Sequence, residues 1–223
     1  MITALDVETI PNLDMKPFLP EPKISKTLKD PAKIEAARIE GIKDQVDKMA
    51  LDALTARICT VAFVGIKDGK PFSYVETIEE ISDASETSLI QNIMRALGTD
   101  EMRLVTWNGI GFDLPMIYKR AMILGVDPAN FGAPPLPTWT KKYSTDRHYD
   151  LMQIWGGWSS QGFAKLNTVS QMVLKETKED IDVTDIINLI ATPEGRDKVS
   201  KYCLQDTQLT WSLFEKFNGF LFV

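Results

Sequence analysis

The chain has 223 residues, 44% hydrophobic and 25% charged, a globular balance long enough to bury a core without disulfide staples and unlike a disordered tail. Its formal net charge of −6 and its single histidine argue against a non-specific polyanion binder and a histidine-rich zinc centre. No run of about 18 apolar residues appears, so no membrane span is expected. The start, MITALDVETI, lacks the basic segment of a secretory leader, so a cytoplasmic protein is the default expectation, with Cys59 and Cys203 as buried free thiols.

In chain order, the first strand is expected over residues 2–8. Strand side chains alternate, so Asp6 and Glu8 continue the apolar face begun by Ile2 and Ala4. Either the strand ends there and the acids are solvated, or they share a cation. A Pro-rich loop follows, IPNLDMKPFLPEPK. Asp30 and Pro31 then mark a helix start, and Ile34, Ile42, Val46, Met49 and Ala53 give it an apolar stripe. This helical insertion, 29–55, is expected to pack on its own domain. Residues 58–66 and 71–77 read as a hairpin around Asp68-Gly69. SETSLIQNIMRALG is a helix closed by Gly98, MRLVTW a short strand, and FDLPMIYKRAMILG a helix closed by Gly125. A loop over 126–147 carries a basic patch, Lys141, Lys142 and Arg147. YDLMQIW, KLNTVSQMVL and VTDIINLI read as helical, and a long helix spans about 193–217. Strand, hairpin, then strands alternating with helices make an α/β pattern with a mixed sheet.

The last helix is the most informative. Stepping about 100° per residue puts Val199, Tyr202, Leu213 and Phe217 within about 40° of Asp206. Lys201, Gln208, Ser212 and Glu215 lie on the other side. Asp206 therefore sits in the core-facing stripe, where a charge is costly unless paired or metal-bound. Tyr202 is one turn earlier on the same face. At the strand-to-helix junction WNGIGFD, Asp113 is by itself most simply an N-cap. If strand end, junction and helix face converge, four carboxylates meet and repel unless divalent cations neutralise them. Oxygen ligands select Mg²⁺ or Mn²⁺ over zinc.

These residues resemble the three motifs of the DEDD exonucleases: Asp6-Val7-Glu8, then Asn108 through Phe112-Asp113, then Tyr202 through Asp206. Tyrosine in the third motif points to the tyrosine subclass. WNGIGFDLPMIYKRAMILG, YDLMQIW and KLNTVSQMVL are further similar to the proofreading domain of B-family DNA polymerases. The resemblance implies an RNase H-like (DnaQ-like) fold, a mixed central sheet flanked by helices, in a single exonuclease domain over 1–223. With the sequence ending at Val223 and no palm or fingers following, it resembles a stand-alone exonuclease.

The activity implied is hydrolysis of the 3′-terminal phosphodiester of single-stranded DNA to 5′-mononucleotides. Two divalent cations about 4 Å apart would straddle the scissile phosphate. Asp6 would bridge both, Glu8 and Asp206 complete the water-side site, and Asp113 hold the second ion. A tyrosine hydroxyl, with an ordinary pKa near about 10, is a poor general base, so Tyr202 is expected to orient the attacking water. Asn108 and Phe112 would meet substrate, Phe112 by stacking on a base. Thr9 and Ile10 would line the 3′-terminal pocket. Lys141, Lys142, Arg147 and Lys165 are candidates for phosphate contacts, and Asp150 for structural support. Alternatives are a 3′–5′ exoribonuclease, since these acids do not read the sugar, and a silent nucleic-acid-binding module. A replication or repair partner is not identified by the sequence.

Overall fold

The computed structural model describes residues 1–177, 181 and 185–222. Five strands form one mixed sheet: β1 (Ile2–Pro11), β2 (Ala56–Lys67), β3 (Lys70–Thr77), β4 (Arg103–Thr106) and β5 (His148–Asp150), in the order β3-β2-β1-β4-β5. β1 runs antiparallel to β2 and parallel to β4, and β5 continues the parallel side. The mixed α/β architecture expected from the sequence is present, with helices α1 (Pro31–Met49), α2 (Asp83–Leu97), α3 (Asp113–Ile123), α4 (Leu151–Trp155), α5 (Leu166–Val173), α6 (Ile186–Ile190) and α7 (Pro193–Phe217).

Local chemistry sets the boundaries. Asp68 and Gly69 both take positive φ, 51° and 74°, as a two-residue hairpin turn requires. Asp30 caps α1 by accepting from the Ala32 amide at 2.9 Å, and Thr192 caps α7 through the Gly195 amide at 3.1 Å. Gly98 does end α2, but with φ of −79°. What demands glycine there is proximity: a Cβ would sit 1.9 Å from the Phe131 carbonyl oxygen.

Buried side chains form two clusters. The larger gathers Leu5 and Val7 with Ile58, Val61 and the inward faces of α2 and α3. The smaller gathers Ala4, Val105 and Tyr149 with Leu213, Phe214 and Phe217 of α7. Leu5 and Val7 alternate with Ala4, so β1 serves both layers.

Three expectations need correction. β1 does not stop at the acids: it pairs with β2 as far as Pro11 opposite Ala56, with a register shift between Glu8 and Thr9. YDLMQIW is not wholly helical, because Tyr149 and Asp150 belong to β5, which pairs with β4. The Pro-rich stretch contains a short 3-10 helix, Leu13–Phe18. The inserted segment 29–55 is seated on the sheet as expected: Met49 and Ala53 are buried, and the Ala50 carbonyl accepts from Thr9 at 2.7 Å. On α1, Gln45 donates to the Pro20 carbonyl, and a Cβ on Gly41 would meet Pro22. The expected helix over 183–190 runs from Ile186; residues 183 and 184 lie outside the described residues. Among the described residues no helix is long and apolar enough to cross a membrane.

Candidate active site

The acids collect where β1 outruns its parallel neighbour. β4 pairs with β1 only along Ile2–Ala4, so beyond Ala4 the backbone on that side of β1 needs other partners. Asp113 supplies one: its carboxylate accepts from the Val7 amide at 3.3 Å. Asp113 is thus not the N-cap of α3. Phe112 holds that position without a side-chain cap, and Asp113 is the first helical residue, 3% exposed.

The turn that delivers Asp113 is held from three sides. Asn108 takes a positive φ of 73°, and its carbonyl accepts from Gly111 and Phe112. A Cβ on Gly111 would lie 2.4 Å from the Asn108 side-chain oxygen, and one on Gly109 would lie 2.3 Å from the Thr106 hydroxyl oxygen. Asp150, fully buried at the end of β5, accepts from the Asn108 amide at 3.2 Å and the Ile110 amide at 2.8 Å. It acts on the turn as a support, the role expected for it. The single histidine lies behind this turn. Thr106 accepts from the Gly109 amide and bonds His148 Nε2 at 2.7 Å, while Nδ1 bonds the Trp139 carbonyl at 2.7 Å. Burial holds the His148 pKa below its usual value, which fits a neutral ring donating through Nδ1.

From the other side α7 brings Tyr202, Cys203 and Asp206, all buried. The Cys203 thiol lies 3.7 Å from an Asp6 carboxylate oxygen and 3.6 Å from the Asp6 carbonyl. Ligand atoms of Asp6, Glu8 and Cys203 all fall within 4.8 Å of one another. Burial, then the Asp113, Glu8 and Asp206 carboxylates, hold the Asp6 carboxyl well above the usual carboxylate range. Burial also pushes Asp113 up to about 7, against the lowering effect of the Asp113 and Val7 amides. Burial, then Asp6, drives the Cys203 thiol well above its ordinary value, so it is a neutral neighbour and the donor set stays oxygen. Such a group of like charges, Asp113 and Asp206 buried and Asp6 and Glu8 half-buried, fits hard divalent cations.

Beside Glu8 opens a cleft of about 710 Å³, lined in part by Thr9, Phe112, Leu51 and Ile187. Phe112 reaches both the cleft and the core. Thr9 is on the wall, with its hydroxyl donating to the Ala50 carbonyl at 2.7 Å. Ile10 is not: with β1 continuing past the acids it is an interior strand residue, fully buried. Lys141 and Arg147 are at the other end of the sheet. Lys141 pairs with Asp146 at 3.5 Å, and Arg147 lines a surface with Met1 and Arg103. Lys165 precedes α5 and follows Ala164, whose carbonyl accepts from the Trp107 indole at 3.1 Å.

Residues 50–221 match a family described as predicted 3′–5′ exonucleases related to the exonuclease domain of PolB. The chain belongs to this PolB-related exonuclease family. The match includes the Asn108–Asp113 turn and α7, while β1, which carries Asp6 and Glu8, precedes it. Relatives of the chain include a DNA polymerase of Pyrococcus horikoshii, 25% identical over 152 residues, covering 65% of this chain and 12% of that protein. A DNA polymerase catalytic subunit of psittacid herpesvirus 1 is 27% identical over 200 residues, 81% of this chain and 18% of that protein. That of rhesus cytomegalovirus is 46% identical over 55 residues, 24% of this chain and 5% of that protein. The chain thus spans less than a fifth of the length of these curated relatives.

Proposed function

We propose that the protein is a divalent-metal-dependent 3′–5′ exonuclease of the DEDD type, tyrosine subclass, that shortens single-stranded DNA and releases 5′-mononucleotides. In this reading residues 1–223 form one exonuclease domain with 29–55 inserted. What supports it is geometry around β1: Asp6 and Glu8 lie together with Cys203 within 4.8 Å, Asp113 accepts from the Val7 amide between them, and Asp206 is buried on the helix that carries Cys203. Asp6, Glu8, Asp113 and Asp206 would hold the ions, with Asp6 the acid nearest the other three in charge effect. Bound Mg²⁺ or Mn²⁺ would supply charge neutralisation at the scissile phosphate and a more acidic water.

The chain's own groups do the rest. Tyr202, one turn before Asp206, presents its hydroxyl to the attacking water and fixes its direction. Phe112 stacks on a base at the cleft, an interaction indifferent to sequence. Asn108, with its backbone locked by Asp150, holds the substrate side of the turn. DNA is favoured over RNA because the relatives are DNA polymerases.

The test is digestion of 5′-labelled single-stranded DNA and RNA of one sequence, with Mn²⁺ or with EDTA. Stepwise shortening of DNA with Mn²⁺ is expected, and none with the Asp6→Ala protein. Equal activity in Asp6→Ala would sink the site assignment. RNA consumed far faster than DNA would make the enzyme an exoribonuclease.

A further inference from the structure

One aromatic pair stands outside both buried clusters. The rings of Tyr143 and Trp158 lie 5.3 Å apart with their planes at 48°, and neither belongs to the layers that cover the sheet. Tyr143 is 75% exposed and Trp158 half-buried. Both take a left-handed backbone, with φ of 59° and 62°, a region that bulky side chains rarely enter. The Trp158 amide donates to the Gln153 carbonyl at 2.8 Å, which fixes the turn after α4.

The charge around this pair differs from that of the molecule as a whole. The chain has 31 acids and a net charge of −6, yet residues 128–175 contain only Asp146 and Asp150, against Lys141, Lys142, Arg147, Lys165 and Lys175. Asp150 is fully buried beneath the Asn108 turn. Lys141 already meets Asp146 at 3.5 Å, and Arg147 donates to the Met102 carbonyl at 3.4 Å. Lys142, next to Tyr143 in the chain, is exposed. An acidic peptide would use these cations and leave the rings idle. A single-stranded nucleic acid uses both, phosphates on the cations and unstacked bases on the rings.

The pair is also tied to the turn that delivers Asp113. Trp158 stands near the start of the 156–165 loop, which closes on itself so tightly that a Cβ on Gly156 would lie 2.7 Å from the Phe163 ring. Toward its far end the Ala164 carbonyl accepts from the indole of Trp107, the residue before Asn108. One loop thus carries an exposed ring and touches the candidate site. Neither Tyr143 nor Trp158 lines the cleft beside Glu8.

We propose that Tyr143 and Trp158 form a second nucleic-acid contact, a stacking platform for bases upstream of the scissile phosphate, with Lys142 at a neighbouring phosphate. The proposal rests on the exonuclease reading above for the direction of the strand. Its consequence is that a strand long enough to reach the platform is held more tightly than one that fills only the cleft.

The test is fluorescence anisotropy of labelled single-stranded DNA of about 4 and about 16 nucleotides, bound to the Asp6→Ala protein in EDTA. The longer strand is expected to bind at least about tenfold tighter, and Tyr143→Ala to remove about tenfold of that affinity, the scale of one lost stacking contact. Tyr143→Ala should leave the short strand unaffected, and Tyr143→Phe should keep the affinity of both, because a phenyl ring still stacks. Lys142→Ala should lower the salt dependence of long-strand binding by about one counter-ion. Met122→Ala, also at a residue 75% exposed, should change nothing. Thermal midpoints of the Tyr143 variants should match the parent's. Unchanged long-strand affinity in Tyr143→Ala would overturn the platform, and so would an equal loss with a fully duplex probe, whose bases are not free to stack. If affinity depends on Tyr143 but wild-type protein with Mn²⁺ shortens no strand, the exonuclease reading falls and the platform stands.

Discussion

Two groups of buried and half-buried charges lie within this fold, and they are built on opposite terms. Glu86 on α2 is fully buried, yet its carboxylate meets Arg120 at 2.6 and 2.8 Å and accepts from the Ile58 amide at 2.8 Å. Arg120 spends a further N–H on the Ala53 carbonyl at 3.1 Å. There each charge has its counter-charge and hydrogen bonds, so the cluster is a joint between α2, α3 and β2. Asp6, Glu8, Asp113 and Asp206 share one sign, and burial with mutual repulsion lifts the proton affinity of Asp6. Paired burial marks scaffold; same-sign burial marks a place where something else must supply the charge.

The largest expected effect is at Asp206. Asp206→Asn should lower turnover at least about a thousandfold, the scale of losing a main transition-state contact. Its metal-free thermal midpoint should equal or exceed the parent's, because a repulsion has gone. A lower midpoint with full turnover would reverse the two roles. Glu86→Ala should do the opposite, costing about 3–5 kcal/mol in urea unfolding because Arg120 is left buried and unpaired. Replacing both, Glu86→Leu with Arg120→Met, should recover much of that loss; no recovery would mean the pair is not the source.

A third test uses pH. Asp113 is raised from 3.8 to about 7 in the folded protein. The folded form therefore holds that proton more tightly than the unfolded form, and stability from this group is lost as pH rises through about 7. Metal-free protein should accordingly gain more in thermal midpoint from Mn²⁺ at about pH 8 than at about pH 5, since binding needs the carboxylates ionised. A shift independent of pH would detach Asp113 from the metal. The smallest effect is at Asp150. Asp150→Asn, which weakens the hold on the Asn108–Ile110 turn, should cost about tenfold in kcat with the midpoint little changed.

What the sequence disclosed follows from how local each signal is. Asp206 could be placed because α7 is 25 residues long and its stripe repeats with the helix. The N-cap of α1 and the Asp68-Gly69 turn are equally local, and both appear as expected. β5 escapes notice because three residues carry no period. The Val7–Asp113 bond is hidden because it depends on where β4 stops, which is far along the chain from β1 and written in no local pattern. Glu86 and Arg120 are invisible for the same reason: a charge on an amphipathic helix does not announce a partner on another helix. Ile10 is misplaced once β1 is ended at its acids.

The register shift in β1 bears on how the chain finds this fold. Glu8 faces Thr60 and Thr9 faces Ile58, so Cys59 is the extra residue of β2, its thiol 3.4 Å from the Glu8 carbonyl. A slip of one residue in pairing turns a strand's faces over. Here such a slip would drive Asp6 and Glu8 toward the layer of Leu5 and Val7, a burial far too costly to persist. The acids thus favour the one register of β1 on β2 that keeps them off that layer.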